Sequence, residues 1–277
     1  MKLSMLFAES VSQLRNSGIE NAVRDARALV SFAVNVPSDR LMLCSEDTVN
    51  VANIQRSKEI ITLRCEGCPV SRIIGKRLFW GLEFIVTKDV LDPRGDTETL
   101  IALSLQSPAR RILDLGTGTG AIGITLVSEW SDARLIASDL SDKALKVAER
   151  NAKRLGVFER CQFIKSDWFS AIEGAFDLIV SNPPYISRSD WEGLAAEVKN
   201  YDPLIALSPG EDALDAYREI STNAMRHLTP NGRLLLEIGH TQGIAVSNLL
   251  NQAGYKNVSV HLDLEKRDRV VSCSAPA

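Results

Sequence analysis

One stretch restricts what this 277-residue chain can fold into more than any other: Arg111-Ile112-Leu113-Asp114-Leu115 running into Gly116-Thr117-Gly118-Thr119-Gly120. The short run rich in branched aliphatics reads as a buried strand, and the alternating glycines after it permit a sharp turn that side chains would obstruct. An apolar helix is expected from Ala121 to Trp130, completing a strand–turn–helix unit of the parallel kind. The chain then repeats this logic. Strands are expected at Arg134 to Ser138, Gln162 to Lys165, Phe176 to Val180 and Arg233 to Glu237, and helices at Asp212 to Leu228 and Gly243 to Ala253. Val258 to Leu262 and Val270 to Cys273 read as a closing antiparallel pair. The expected fold is α/β, a doubly wound sheet that places its chemistry at the C-terminal edge of the strands.

Ser181-Asn182-Pro183-Pro184-Tyr185 falls at that edge, directly after the fourth apolar run. Two prolines stiffen the backbone, and the first pushes Asn182 toward an extended conformation with its carboxamide projecting from the strand end. The carboxamide oxygen of Asn182 and the carbonyl of Pro183 can together accept both hydrogens of one planar NH2 group, with Tyr185 against its flat face. Such a site suits a nitrogen whose lone pair is delocalised, as in an amide or an exocyclic base amine. The gain is positional, for the motif contains no obvious general base. A rigid turn capped by asparagine, with tyrosine as core filler, is the plainer account of the same residues.

The glycine run leaves two ligands open. Gly118, Gly120 and Gly123 satisfy the dinucleotide spacing G-x-G-x-x-G, and Asp139 lies about twenty residues on, where an acidic residue meets a ribose. S-adenosyl-L-methionine presents a ribose to the same position. The carboxylate of Asp114 suits its ammonium better than a pyrophosphate, and Asn182 with its prolines has no evident part in hydride transfer. The chemistry therefore favours the methyl donor, held by Gly116, Thr117, Gly118, Thr119, Gly120 and Asp139. Ser166-Asp167-Trp168 offers a third ligand-facing point: Asp167 can accept from an adenine amine while the Trp168 ring lies on the base. A helix cap and a core indole explain that pair equally well.

With Leu91-Asp92-Pro93-Arg94-Gly95-Asp96-Thr97-Glu98, these motifs resemble the PrmC/HemK family. The resemblance runs from about Pro69 to the C-terminus and implies a Rossmann-like class I methyltransferase. It also implies transfer from S-adenosyl-L-methionine to the N5 amide nitrogen of the glutamine in the Gly-Gly-Gln loop of peptide chain release factors. Asn182, Pro183, Pro184 and Tyr185 would then handle the substrate, with Asn182 also near the donor. Asp92 and Gly95 depart from the family pattern, which has an apolar residue and a proline there.

Ahead of the sheet the sequence reads as helices: one from Leu3 ending at Gly18, one from Asn21 to Val34, one from Val51 to Cys65. Lys76 to Trp80 and Leu82 to Thr87 look like a β-hairpin joining two domains, with Phe79, Trp80 and Phe84 as inter-domain packing. The expected domains are residues 1–75, a helical bundle that the resemblance makes the substrate-recognition part, and 76–277, hairpin plus methyltransferase. Arg188 to Asn200 reads as a lid. Glu237, His240 and His261 read as isolated structural groups.

The net charge is -3, and residues 1–80 carry eleven Lys or Arg against eight Asp or Glu while the remainder carries twenty-one against twenty-seven. That balance disfavours binding by phosphate neutralisation, so no direct nucleic-acid partner is expected. Methylation of an exocyclic amine in DNA or RNA stays open as the alternative reaction, and a binding module without turnover as the alternative class. Five cysteines, with a lone C-x-x-C at Cys65 and Cys68, suit reduced thiols and a cytoplasmic chain without a metal site. Glu9 interrupts the first apolar run before a signal-peptide core forms, and no stretch reaches membrane-spanning length.

Overall fold

The computed structural model describes residues 1–186, 188–193, 196–203 and 213–277. These form two compact units. One comprises Met1–Lys76 with the later helix Ala196–Tyr201; the other holds the remaining described residues from Arg77 onward.

The first unit packs α1 (Leu3–Asn16), α2 (Ala22–Val34), α3 (Val51–Cys65) and the short α4 (Val70–Ile74). Leu14, Ala26, Leu29 and Ile61 close its core, each on the apolar stripe that helical spacing dictates. Asn50 caps α3 by accepting from the Asn53 N–H at 2.8 Å, and Asn35 ends α2 in the left-handed region. Within the core, Asp25 is buried and paired with Arg64 Nε at 2.8 Å; Arg64 also bonds Glu197 on the helix Ala196–Tyr201.

The second unit opens with the hairpin β1 (Lys76–Phe79) and β2 (Leu82–Ile85), then α5 (Glu98–Ser104). Phe79 and Phe84 meet edge to face, 6.1 Å between ring centres, in the cluster that holds Leu100, Ile101 and Ile124. Their expected role between domains is therefore corrected: these rings belong to the second unit's own core, because the hairpin folds onto α5 and the sheet. Then come β3 (Arg111–Leu115), α6 (Ala121–Glu129), β4 (Arg134–Asp139), α7 (Asp142–Arg154), β5 (Cys161–Lys165) and β6 (Phe176–Ser181). The stretch read as a lid holds two short helices, α8 (Arg188–Gly193) and α9 (Ala196–Tyr201), with residues 187, 194 and 195 outside the described ones. The chain closes with α10 (Asp215–Asn223), β7 (Leu228–Glu237), α11 (Gly243–Gln252), β8 (Lys256–Leu262) and β9 (Asp268–Ser274). Asp212, the expected start of the helix now seen from Asp215, also lies outside the described residues.

The seven strands run in the order β5-β4-β3-β6-β7-β9-β8, parallel until the antiparallel pair β8 and β9. Strand β7 starts five residues before the expected Arg233. The intervening Pro230, Asn231 and Gly232 form an irregularity in the pairing: Leu228 pairs with Phe176 but Arg233 with Leu178. From β3 the chain steps outward through β4 and β5, then returns to lay β6 on the other side of β3. That reversal opens a crevice at the C-terminal ends of β3 and β6.

Candidate active site

At the crevice Leu115 and Ser181 are register partners, so the glycine turn after β3 and the Asn182 loop after β6 emerge side by side. A single cleft is lined by Gly116, Thr117, Gly118, Thr119, Asp139, Asp167, Trp168, Asn182 and Pro184, all singled out in the sequence, together with Leu91, Pro93, Arg94, Thr97 and Ile122. Three further sequence candidates do not line it: Gly120, Pro183 and Tyr185.

Gly116 and Gly118 adopt φ of 67° and 56°, and the space a Cβ would enter is empty at both. Gly120 differs. A Cβ there would overlap the Ile124 side chain and lie 3.3 Å from Ala148, so this glycine admits close helix packing rather than a ligand. The tip of the turn is tied down by carboxylates. Gly118 N–H donates to Asp139 Oδ2 at 2.9 Å, and Ser141 N–H to Asp139 Oδ1 at 2.9 Å. Thr117 Oγ1 donates to Asp114 Oδ2 at 2.7 Å, and Gly123 N–H reaches the same oxygen at 3.0 Å. Burial pushes the Asp114 carboxyl up to about 7 against these two bonds, and its Oδ1 has no partner. Burial raises Asp139 as well.

Asn151, wholly buried on α7, holds the turn from behind. Its Nδ2 donates to Thr119 O at 2.8 Å and Ile85 O at 3.1 Å, while its Oδ1 accepts from Ile85 N–H at 2.7 Å. The sequence reading missed this residue. Its signal was a polar side chain on the stripe Ala144, Val147, Ala148, which faces the core.

On the far wall Trp168 sits at φ 47°, an unusual place for a bulky residue. Ser166 makes it tenable by donating Oγ to Trp168 O at 2.7 Å while accepting from Ala171 N–H at 3.1 Å. Asp167 N–H donates to Ser170 Oγ at 3.1 Å, leaving its carboxylate on the cleft.

Asn182 Nδ2 donates to Thr97 Oγ1 at 3.4 Å, which turns Oδ1 away from Thr97. Tyr185 instead faces the core, where its hydroxyl donates to Glu237 Oε1 at 3.3 Å; burial raises its pKa, and the Glu237 charge adds to that. Glu237 is only 1% exposed, with its pKa pushed up to about 7 by burial and opposed by Thr97 and Arg269. The reading of Glu237 as isolated is thus corrected. It stands one position past Leu236, the register partner of Ser181, so the sheet places it beside the Asn182 loop.

The cleft discriminates between the two ligands left open above. A pyrophosphate needs free N–H groups at the turn, yet those of Gly118 and Gly123 are taken by carboxylates, the half-buried Asp139 and the buried Asp114. An open glycine cradle over acidic groups fits a nucleoside bearing a cationic chain, with Asp139 retaining lone pairs for ribose hydroxyls. Fold and cleft together define a class I S-adenosylmethionine-dependent methyltransferase. Residues 6–75 match the PrmC N-terminal domain and residues 87–198 the Methyltransferase small domain. The release factor glutamine methyltransferase of Cereibacter sphaeroides is 47% identical over the full length of both chains. A bifunctional methyltransferase of Rickettsia felis is 36% identical over 97% of this chain, which spans 57% of that protein. Among solved structures, the hMettl16 catalytic domain shares the fold at a TM-score of 0.59 and 14% identity, over 79% of this chain and 82% of that one. The chain belongs to the release factor glutamine methyltransferase family. No helix among the described residues is long and apolar enough to cross a membrane.

Proposed function

We propose that this enzyme methylates the N5 amide nitrogen of the glutamine in the Gly-Gly-Gln loop of peptide chain release factors, in the cytoplasm. The observation that carries the reading is the placement of Asn182 on the same cleft wall system as the glycine turn and Asp139. S-adenosylmethionine supplies an electrophilic methyl on a sulfonium. The chain's residues supply position: Gly116 and Gly118 let the backbone approach the donor, Asp139 accepts from its ribose, and Trp168 with Asp167 borders its base. Asn182 Oδ1 accepts from the glutamine amide and directs its nitrogen lone pair at the methyl carbon, while Pro183, which does not line the cleft, holds the loop rather than the substrate. Pro184 keeps the loop stiff and forms part of the wall. Tyr185 acts from behind, as a partly buried strut of the loop, rather than as the flat face first expected of it. Residues 1–75 serve as the part that recognises the release factor.

The test is to incubate the enzyme with labelled donor and release factor carrying either Gly-Gly-Gln or Gly-Gly-Ala. Label on the first alone is expected; equal labelling, or label appearing only when DNA or RNA is supplied, would refute the reading.

A further inference from the structure

Asn182 is held from the side by Thr97, whose Oγ1 accepts from Asn182 Nδ2 at 3.4 Å. A bond of that length is close to the limit of a useful one, so a small shift of either partner breaks it. The two partners ride on different supports. Asn182 follows Ser181 at the end of β6, whereas Thr97 closes the single helical turn Gly95–Thr97 ahead of α5. Whatever seats that turn against the sheet edge therefore sets the carboxamide.

The turn is poorly equipped to seat itself. It is three residues long, starts on a glycine with open space beside it, and is closed by a backbone bond from Thr97 N–H to Arg94 O at 3.2 Å. Outside support comes from Arg269 near the start of β9. Its buried guanidinium meets three elements at once: Nε and Nη2 donate to Asp263 Oδ2 at 3.3 and 3.2 Å, Nη1 donates to Ile238 O at 3.4 Å, and Nη2 lies 3.1 Å from Asp96 Oδ2 in the middle of the turn. Asp263, buried as well, already balances the arginine's charge and accepts from the N–H groups of Glu265 and Arg267 between β8 and β9. The arm to Asp96 is thus not needed to bury the cation. Ile238 stands two places past Leu236, the register partner of Ser181, so the same guanidinium touches the sheet edge beside the strand that leads to Asn182. A planar fork of fixed width ties that edge to the turn carrying Thr97, and a lysine ammonium cannot reproduce it.

We infer that Arg269 is a positioning residue for methyl transfer: its ion pair with Asp96 seats the Gly95–Thr97 turn and so places the Thr97 hydroxyl where it holds the Asn182 carboxamide. This rests on the reading that Asn182 Oδ1 receives the substrate amide. Asp96 is the accessible half of the pair, its side chain 43% exposed. Glu98 fastens the start of α5 separately, by accepting from Trp80 N–H at 2.9 Å. Losing Asp96 therefore loosens the turn without unseating the helix.

Asp96→Ala in the full-length enzyme, measured with release factor and labelled donor, tests this. Expected is a fall in kcat of about tenfold, with KM for release factor and Kd for S-adenosylmethionine each changed less than about threefold. Proline supplies the rescue. Arg94 is extended at φ -98°, ψ 143°, as a residue before proline must be, and Gly95 holds the first position of the turn, where the missing N–H breaks no bond of the turn. In a Gly95→Pro enzyme, which stiffens the turn from within, adding Asp96→Ala should cost less than about threefold in kcat. The route is tested by adding Asp96→Ala to Thr97→Val, where the further loss should be less than about twofold. A kcat for Asp96→Ala within twofold of the parent, a loss undiminished in the Gly95→Pro background, or a loss undiminished on top of Thr97→Val would each overturn the inference. Arg269→Lys should match Asp96→Ala in kcat, and a parent-like rate overturns it too; if Arg269→Lys does not fold, the Asp96 variants decide. Asn182→Ala separates the two levels, since an active Asn182→Ala enzyme defeats the underlying reading, while an inactive one beside a normal Asp96→Ala defeats only the part given to Arg269.

Discussion

Gly118 N–H and Asp139 Oδ2 are 2.9 Å apart, which fastens the tip of the glycine turn to the end of the neighbouring strand. One carboxylate thus shapes the cradle and also faces the ligand. Asp139→Ala is expected to weaken S-adenosylmethionine binding roughly 10- to 100-fold, since a charged acceptor and the anchor of the turn are lost together. Calorimetric titration of the donor measures this. At saturating donor, kcat should stay within severalfold of the parent.

Asn182 contributes at a different stage. Because its oxygen is assigned to the acceptor amide, Asn182→Ala should lower kcat by about 100- to 1000-fold and leave donor affinity nearly intact. Single-turnover kinetics with preloaded donor checks the split. Asn182→Asp retains an acceptor but loses the N–H that reaches Thr97, and should recover less than a tenth of the parent rate.

Asp114 gives a pH signature. Its pKa in the folded chain is pushed up to about 7 by burial, against 3.8 for an ordinary aspartate. Between these values the folded state keeps a proton that the unfolded state has released, so this group's contribution to stability falls as pH rises through that window. Its full penalty is present above about 7. Asp114→Asn, which cannot ionise, should lose less stability than the parent between pH 5 and 8 (about the range accessible to denaturant titration). A parallel pH profile for the two proteins would contradict the assignment.

Asn151 is saturated by three bonds to Ile85 and Thr119. Asn151→Ala would leave a buried N–H and two carbonyls unpaired, and should cost roughly 2–4 kcal/mol of stability. Donor affinity should drop with it, because Thr119 lines the cleft. Urea unfolding with and without S-adenosylmethionine distinguishes the two effects. Asn151→Asp should be at least as harmful, since it replaces the donor to Thr119 O by an acceptor.

Much of this arrangement was legible in the chain because it is local. Leu113 to Gly120 encodes strand, turn and ligand cradle within eight consecutive residues, and Asn182 follows its strand without interruption. Even so, glycine spacing could not distinguish a ligand-facing Gly118 from a packing Gly120; that depends on Ile124 and Ala148. Tyr185 was misdirected for a related reason. The residue after two prolines can face either side of a strand end, and the acceptor that draws it inward, Glu237, is distant in sequence. Thr97 was illegible as the partner of Asn182 because only the tertiary fold brings the start of α5 to that loop, and Glu237 as the partner of Tyr185 because its approach depends on β6 pairing with β7 in one register. The apolar run ending in Glu237 did carry a signal, a carboxylate at the functional edge of the sheet.

The grip of Asn151 on β2 also tells where this chain can be divided. The hairpin has the length of a linker, yet its backbone shares an asparagine with the nucleoside cradle, so a fragment starting after Ile85 would retain every motif and lose two of the three bonds that hold Asn151 behind its ligand turn. Gly75, left-handed at φ 76° where α4 ends, marks the seam. Dissection of the enzyme into separately expressed halves should respect that boundary.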